Sequence, residues 1–103
     1  VDHNVLRSLH LLPFEAAVRE GNVMAVMTAY NRINGTFCSE HQWLIDDLLR
    51  KSWGFKGMVV SDWGGTHSTE LSLRAGLDME MPKTYNMFYG ERLQKLLAEG
   101  KIA

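Results

Sequence analysis

Apolar positions along this chain follow two rhythms, and the switches between them mark out the elements. Leu6, Leu9 and Leu12, then Phe14, Ala17 and Val18, recur at helical spacing, which predicts a helix over roughly residues 4–20. Pro13 predicts a kink within it, and Gly21-Asn22 marks its end. Val23 to Ala29 is a short apolar run between turn residues, the pattern of a buried strand. Asn31 to Gly35 reads as a polar loop punctuated by Asn34-Gly35. A second helix starts at Ser39-Glu40 and carries Trp43, Leu44 and Leu48 to about Lys51. Trp53 to Gly57 is a connector, and Met58 to Ser61 gives a second buried strand that ends at Asp62. Thr66 is the expected N-cap of a helix running to Ala75 and closed by Gly76. Leu77 to Met81 is a third extended piece, stopped by Pro82. A last helix, roughly Gly90 to Glu99, should turn Leu93, Leu96 and Leu97 inward.

Strands separated by helices pair in parallel through right-handed crossovers. Strands this continuously apolar need cover on both faces, and three of them make a poor free-standing sheet. The expectation is an α/β fold, part of an eight-stranded barrel or of a doubly wound sheet. With 103 residues, 46% of them hydrophobic, the chain suffices for one small globular domain. Its 11 basic and 12 acidic residues form no block of like charge, so neither a nucleic acid nor a membrane partner is expected. No apolar run approaches the roughly 18 residues of a spanning helix. Cys38 stands alone and makes no disulfide within the chain. Val1-Asp2-His3-Asn4 has neither a basic-then-apolar leader nor an initiator methionine, so we expect an interior piece of a larger protein. Nothing in the sequence assigns a compartment.

In parallel-strand folds chemistry gathers at the carboxyl ends of strands, where Asp62 lies. Trp63 adds a flat apolar surface beside the acid, and Gly64-Gly65 let the chain turn without filling a cleft. A carboxylate for hydroxyls and an indole for a ring face suit a sugar. The same acid would also serve as a cap for the next helix, or in a phosphoacceptor or metal-dependent α/β domain. Tyr30 closes the strand 23–29 at the same end, where its phenol would hydrogen-bond a catalytic carboxylate. Met27 either lines that pocket or belongs to the core, and spacing alone favours the core. Asp78 and Glu80, two apart on one strand, face the same side; backbone bonding is preferred for them over acid–base work. His3, His10, His41 and His67 lack metal-ligand spacing, so no metal site is expected. No glycine motif cradles a phosphate, and no cofactor is expected.

Four runs resemble glycoside hydrolase family 3, in the family's order and spacing. They are Leu12-Pro13-Phe14-Glu15-Ala16-Ala17-Val18, Val26 to Gly35 (VMTAYNRING), Trp53 to Gly64 (WGFKGMVVSDWG) and Ala75 to Pro82 (AGLDMEMP). The resemblance covers about residues 1–82 and implies that the chain, 1–103, is the C-terminal portion of a (β/α)8 TIM-like barrel, the family's N-terminal domain. It implies a β-glucosidase-type enzyme that hydrolyses terminal non-reducing β-D-glycosidic bonds with retention, Asp62 being the nucleophile. Tyr30 and Met27 would line the sugar pocket and Trp63 would border the leaving-group subsite. The implied substrate is a β-glucoside or an oligosaccharide. The second carboxyl group would come from a later domain beyond Ala103, and other pocket residues, including a Lys-His motif, would precede Val1. The 103 residues alone are therefore expected to show little or no activity. A non-catalytic sugar-binding or scaffold module of the same fold is the rival within the family.

Overall fold

The computed structural model of the chain describes residues 2–81 and 88–100. Helix α1 begins at His3–Val5 and continues in wide turns over Leu6–His10. Leu11 breaks it from α2 (Leu12–Arg19), so the expected kink is a full interruption. Pro13 sits in the first turn of α2, where a missing amide costs no helical bond. Leu6 and Val18 are buried, but Leu9, Leu12 and Phe14 are exposed, so only part of the anticipated stripe faces the core.

Strand β1 (Ala25–Thr28) pairs in parallel with β4 (Met58–Ser61), Met27 opposite Val60 and Thr28 opposite Ser61. Between them lies an antiparallel hairpin, β2 (Arg32–Ile33) and β3 (Thr36–Phe37), where only a loop was expected. Its turn holds Asn34 and Gly35, both at positive φ, as a two-residue hairpin turn requires. A single turn at Cys38–Glu40 precedes α3 (Trp43–Ser52), which winds in wide turns. His41 separates the two: its ring Nδ1 accepts from the Leu44 amide at 3.3 Å and its Nε2 bonds the Ile33 carbonyl at 3.1 Å. Helices α4 (Glu70–Ala75) and α5 (Glu91–Ala98) complete the order.

The anticipated third strand shrinks to one parallel bridge, Val60 with Met79. Side chains take bonds that a ladder would otherwise make. Asp78 Oδ2 accepts the Val59 amide at 2.8 Å, and Ser61 Oγ accepts the Met81 amide at 3.0 Å. Pro82, the expected stop, and Lys101 to Ala103 lie outside the described residues. Thr66 is not a cap: α4 starts after Thr69, and the buried Thr66 hydroxyl meets no partner among the described residues. Gly76 closes α4 as expected, its amide reaching the Ser72 and Leu73 carbonyls. On α5, Leu93 and Leu96 are half-buried while Leu97 is exposed, so the inward stripe is narrower than anticipated.

The core lies on one side of the sheet. Ile45, Leu48 and Leu49 of α3 pack with Val59 of β4, Ala75 of α4 and Leu77. Tyr89 closes it, donating its hydroxyl to the Leu77 carbonyl at 2.7 Å. The strands meet so closely at their amino ends that a Cβ on Gly57 would lie 2.0 Å from the Met24 carbonyl oxygen. Only glycine fits this approach. Arg50 ties the same end together through Gly57 and Gly76 carbonyls, both at 3.2 Å, and Asp78 at 2.7 Å.

Candidate active site

Strand alternation decides what faces where. Val59 and Ser61 of β4 turn into the core, with Val26 and Thr28 of β1 beside them. The opposite face carries Ala25 and Met27 from β1, Met58 and Val60 from β4, and next in register Asp62. Met27 is 59% exposed, which corrects its preferred assignment to the core. It shares the open face with Asp62 because a one-residue change of parity reverses the side.

The backbone of Asp62 is fixed from two directions. Its amide donates to the Thr28 carbonyl at 3.1 Å, continuing the β1–β4 ladder by one residue. Its carbonyl accepts from Gly65 at 2.8 Å, closing a tight turn in which Gly64 has φ +76°. That left-handed conformation accounts for glycine at position 64. The carboxylate is half-buried, and its Oδ1 accepts the Trp63 amide at 2.7 Å. Asp62 therefore does not cap α4, which begins eight residues later at Glu70.

Tyr30 is brought to Asp62. Its phenol is held above the ordinary tyrosine range by desolvation first, then by the negative charge of Asp62 and the hydrogen bond between the two side chains. The phenol thus stays protonated and serves as a donor to the carboxylate. Trp63 and Tyr30 are 60% and 53% exposed, so both rings are accessible at the same end of the strands. Register puts Met27 and Asp62 on the open face, and Tyr30 and Trp63 follow at the same end of the strands.

Other polar groups are committed elsewhere. Asp78 is engaged by Arg50 and the Val59 amide at the far end of β4. Glu80 Oε1 accepts the Phe88 and Tyr89 amides at 3.2 and 2.9 Å, so both acids bond backbone, as preferred from the sequence. Cys38 is buried, which pushes its thiol up and leaves it unreactive. Among the described residues no group of three metal-ligating side chains converges.

Sequence reasoning missed the contacts that brace the site loops. Thr28 and Ser39 share a buried hydroxyl pair at 2.6 Å, and Ser68 Oγ donates to Glu40 Oε2 at 2.5 Å. The Phe37 and His67 rings stack with centroids 3.8 Å apart, and the Arg32 guanidinium lies 4.3 Å from the Phe37 centroid. Partners this far apart in the chain leave no periodic signal; only the Asn34-Gly35 hairpin turn was available as a clue.

The model of the glycosyl hydrolase family 3 N terminal domain matches residues 1–103. A beta-glucosidase of Rhizobium radiobacter is 49% identical over 102 residues, and beta-glucosidase B of Emericella nidulans is 54% identical over 82. The match covers 99% and 80% of this chain but only 12% and 10% of those relatives, respectively. A crystal structure of a beta-glucosidase from Bifidobacterium adolescentis superposes over 100% of this chain with a TM-score of 0.91 at 36% identity, covering 15% of that chain. Beta-glucosidase 3B of Thermotoga neapolitana, solved in complex with glucose, superposes over 100% of this chain and 15% of its own, with a TM-score of 0.90 at 38% identity. The chain belongs to glycoside hydrolase family 3, as a portion of the family's N-terminal domain.

Proposed function

We propose that the protein carrying this chain is a retaining β-glucosidase in which Asp62 is the nucleophile. The observation that carries this reading is a single arrangement: a backbone-fixed carboxylate at the carboxyl end of β4, on the open face of the sheet, with the Tyr30 phenol beside it. Relatives named beta-glucosidase and a family member solved with glucose support the substrate class. The fold reading that accompanies it is part of a (β/α)8 barrel, residues 1–103 lying within the N-terminal domain. Parallel β1 and β4, with the core on one face and Met27 and Met58 exposed on the other, fit a sheet that curls closed.

In this reading the Asp62 carboxylate attacks the anomeric carbon of a terminal glucoside from the face opposite the leaving group. The glycosidic C–O bond breaks as the C–O bond to Asp62 forms. A second carboxyl group, supplied from outside this chain, protonates the departing oxygen and then takes a proton from water. That water attacks the same carbon, the C–O bond to Asp62 breaks, and glucose leaves with the Asp62 carboxylate regenerated. The Tyr30 phenol holds the carboxylate in line through its hydrogen bond. Met27 would line the glucose pocket, and Trp63 would offer its ring to the leaving group. Without the second carboxyl group, the 103 residues alone should not turn over substrate.

In the intact protein, Asp62→Ala should abolish hydrolysis of an aryl β-glucoside while the folded state persists. A 2-deoxy-2-fluoroglucoside should label Asp62 covalently, as peptide mass mapping would reveal. Near-normal turnover by the alanine variant would refute the assignment.

A further inference from the structure

Two loops carry the candidate catalytic groups. The one after β1 holds Tyr30 and continues into the β2–β3 hairpin; the one after β4 holds Asp62 and Trp63 and runs on to His67. Near the strands they are joined by the Asp62 amide on the Thr28 carbonyl. Farther out they meet again, side chain to side chain. The His67 ring lies 3.8 Å from the Phe37 ring with their planes 18° apart, and this leaves the other Phe37 face to the Arg32 guanidinium, 4.3 Å from its centroid. Phe37 is half-buried while Arg32 and His67 are exposed. The Cys38 amide bonds the Asn31 carbonyl at 3.2 Å, so the hairpin closes on the residue next to Tyr30. Gly65 and Thr66, the residues between the Asp62 turn and His67, are buried. Short segments held by backbone bonds and burial thus connect Phe37 with Tyr30 and His67 with Asp62.

We propose that the Arg32–Phe37–His67 stack is a positioning clamp that fixes the Tyr30 phenol against the Asp62 carboxylate. The clamp rests on the reading of Asp62 as nucleophile. In this assignment its parts act through Tyr30 rather than on the reacting atoms. Stacked aromatic and cation–ring contacts suit this task, since they resist sliding of one loop past the other yet need no buried charge.

The experiment is a double-mutant cycle in the intact enzyme. His67 is exposed, so His67→Ala removes the stack without opening the core. It should lower kcat on an aryl β-glucoside about tenfold, with KM little changed, because a displaced orienting group costs transition-state alignment. His67→Phe keeps a ring on Phe37 and should restore kcat to within about threefold of the parent. In a Tyr30→Phe background, His67→Ala should cost less than about twofold, since residues acting through one another are not additive. An undiminished loss in that background, or a failure of His67→Phe to rescue, would mark His67 as merely structural and overturn the clamp. So would unchanged kcat in His67→Ala while Asp62→Ala is inactive. Turnover retained by Asp62→Ala would instead remove the reading beneath, and the clamp with it. Phe37→Leu, which keeps apolar volume but loses the ring, repeats the test from the other loop and should match His67→Ala.

Discussion

Two aspartates meet β4 at opposite ends, and the contrast between them separates two uses of one residue type. Asp78 meets the amino end, where its Oδ2 takes the Val59 amide at 2.8 Å and the Arg50 guanidinium at 2.7 Å. Arg50 goes on to two backbone carbonyls, so the whole cluster is spent on joining α3, the Gly57 connector and the end of α4. Asp62 follows the carboxyl end, with its backbone held and its carboxylate directed to Trp63 and Tyr30 beside exposed aromatic surface. A carboxylate committed to a guanidinium and a strand amide stabilises; one set beside a phenol and an indole at the carboxyl end of the strands is placed for chemistry. Parallel-strand folds place these roles at opposite ends, because loops at the carboxyl ends vary without disturbing the packing beneath.

The contrast breaks if substitutions at the two ends have the same signature. Asp62→Ala should give the largest effect, a loss of roughly 10⁴-fold or more in kcat of the intact enzyme with its melting temperature nearly unchanged. Arg50→Ala should do the reverse, lowering stability by about 2 kcal/mol after allowance for the partial exposure of the pair, while kcat well below the melting temperature stays near that of the parent. Arg50→Lys should recover little, since an ammonium cannot span both carbonyls and the carboxylate. Denaturant titration alongside aryl-glucoside assays reads both. Tyr89→Phe sharpens the same line: it leaves the buried Leu77 carbonyl without its donor and should cost about 1–2 kcal/mol in denaturant unfolding, again without a direct effect on turnover.

The smallest expected effect is a pH dependence at His41. Burial is the leading cause that holds its ring below the ordinary histidine range, and the charge of His3 adds to it, against the opposing Ile33 carbonyl bond. The folded ring is neutral, since Nδ1 accepts the Leu44 amide and leaves Nε2 to donate. Below about pH 6.5 the unfolded chain binds a proton that the folded ring resists. The contribution of His41 to stability is therefore complete above that pH and declines as pH falls towards the lowered folded value. Melting curves from pH 8 to 5 should show this decline, and His41→Gln should flatten it.

Much of this architecture was legible where local chemistry decides it. The strand Met58–Ser61 was read at its true bounds, and β1 fell within the expected run, because short apolar segments between turns have few other uses. The helix stops at Gly76 and around Gly21-Asn22 were likewise local. Errors came where distant residues decide. Leu9, Leu12 and Phe14 carry helical spacing but stay exposed. Met27 looked like core because its run is apolar, yet register with Val60 puts it on the open face. Thr66 looked like a cap until Thr69 displaced it, and the third strand lost its ladder to the Asp78 carboxylate and the Ser61 hydroxyl. At the candidate site, Asp62 and Tyr30 were placed at one strand end by position alone, whereas the Phe37–His67 stack spans 30 residues and has no local signature.

At the seam between β1 and β4, position 57 is defined by what is missing. A methyl group there would intrude on the Met24 carbonyl oxygen at 2.0 Å, so the two backbones would have to part or slide. Sliding by one residue would carry the acid at the far tip of the strand to the wrong side of the sheet. The glycine at position 57 thus sets the height at which Asp62 is presented.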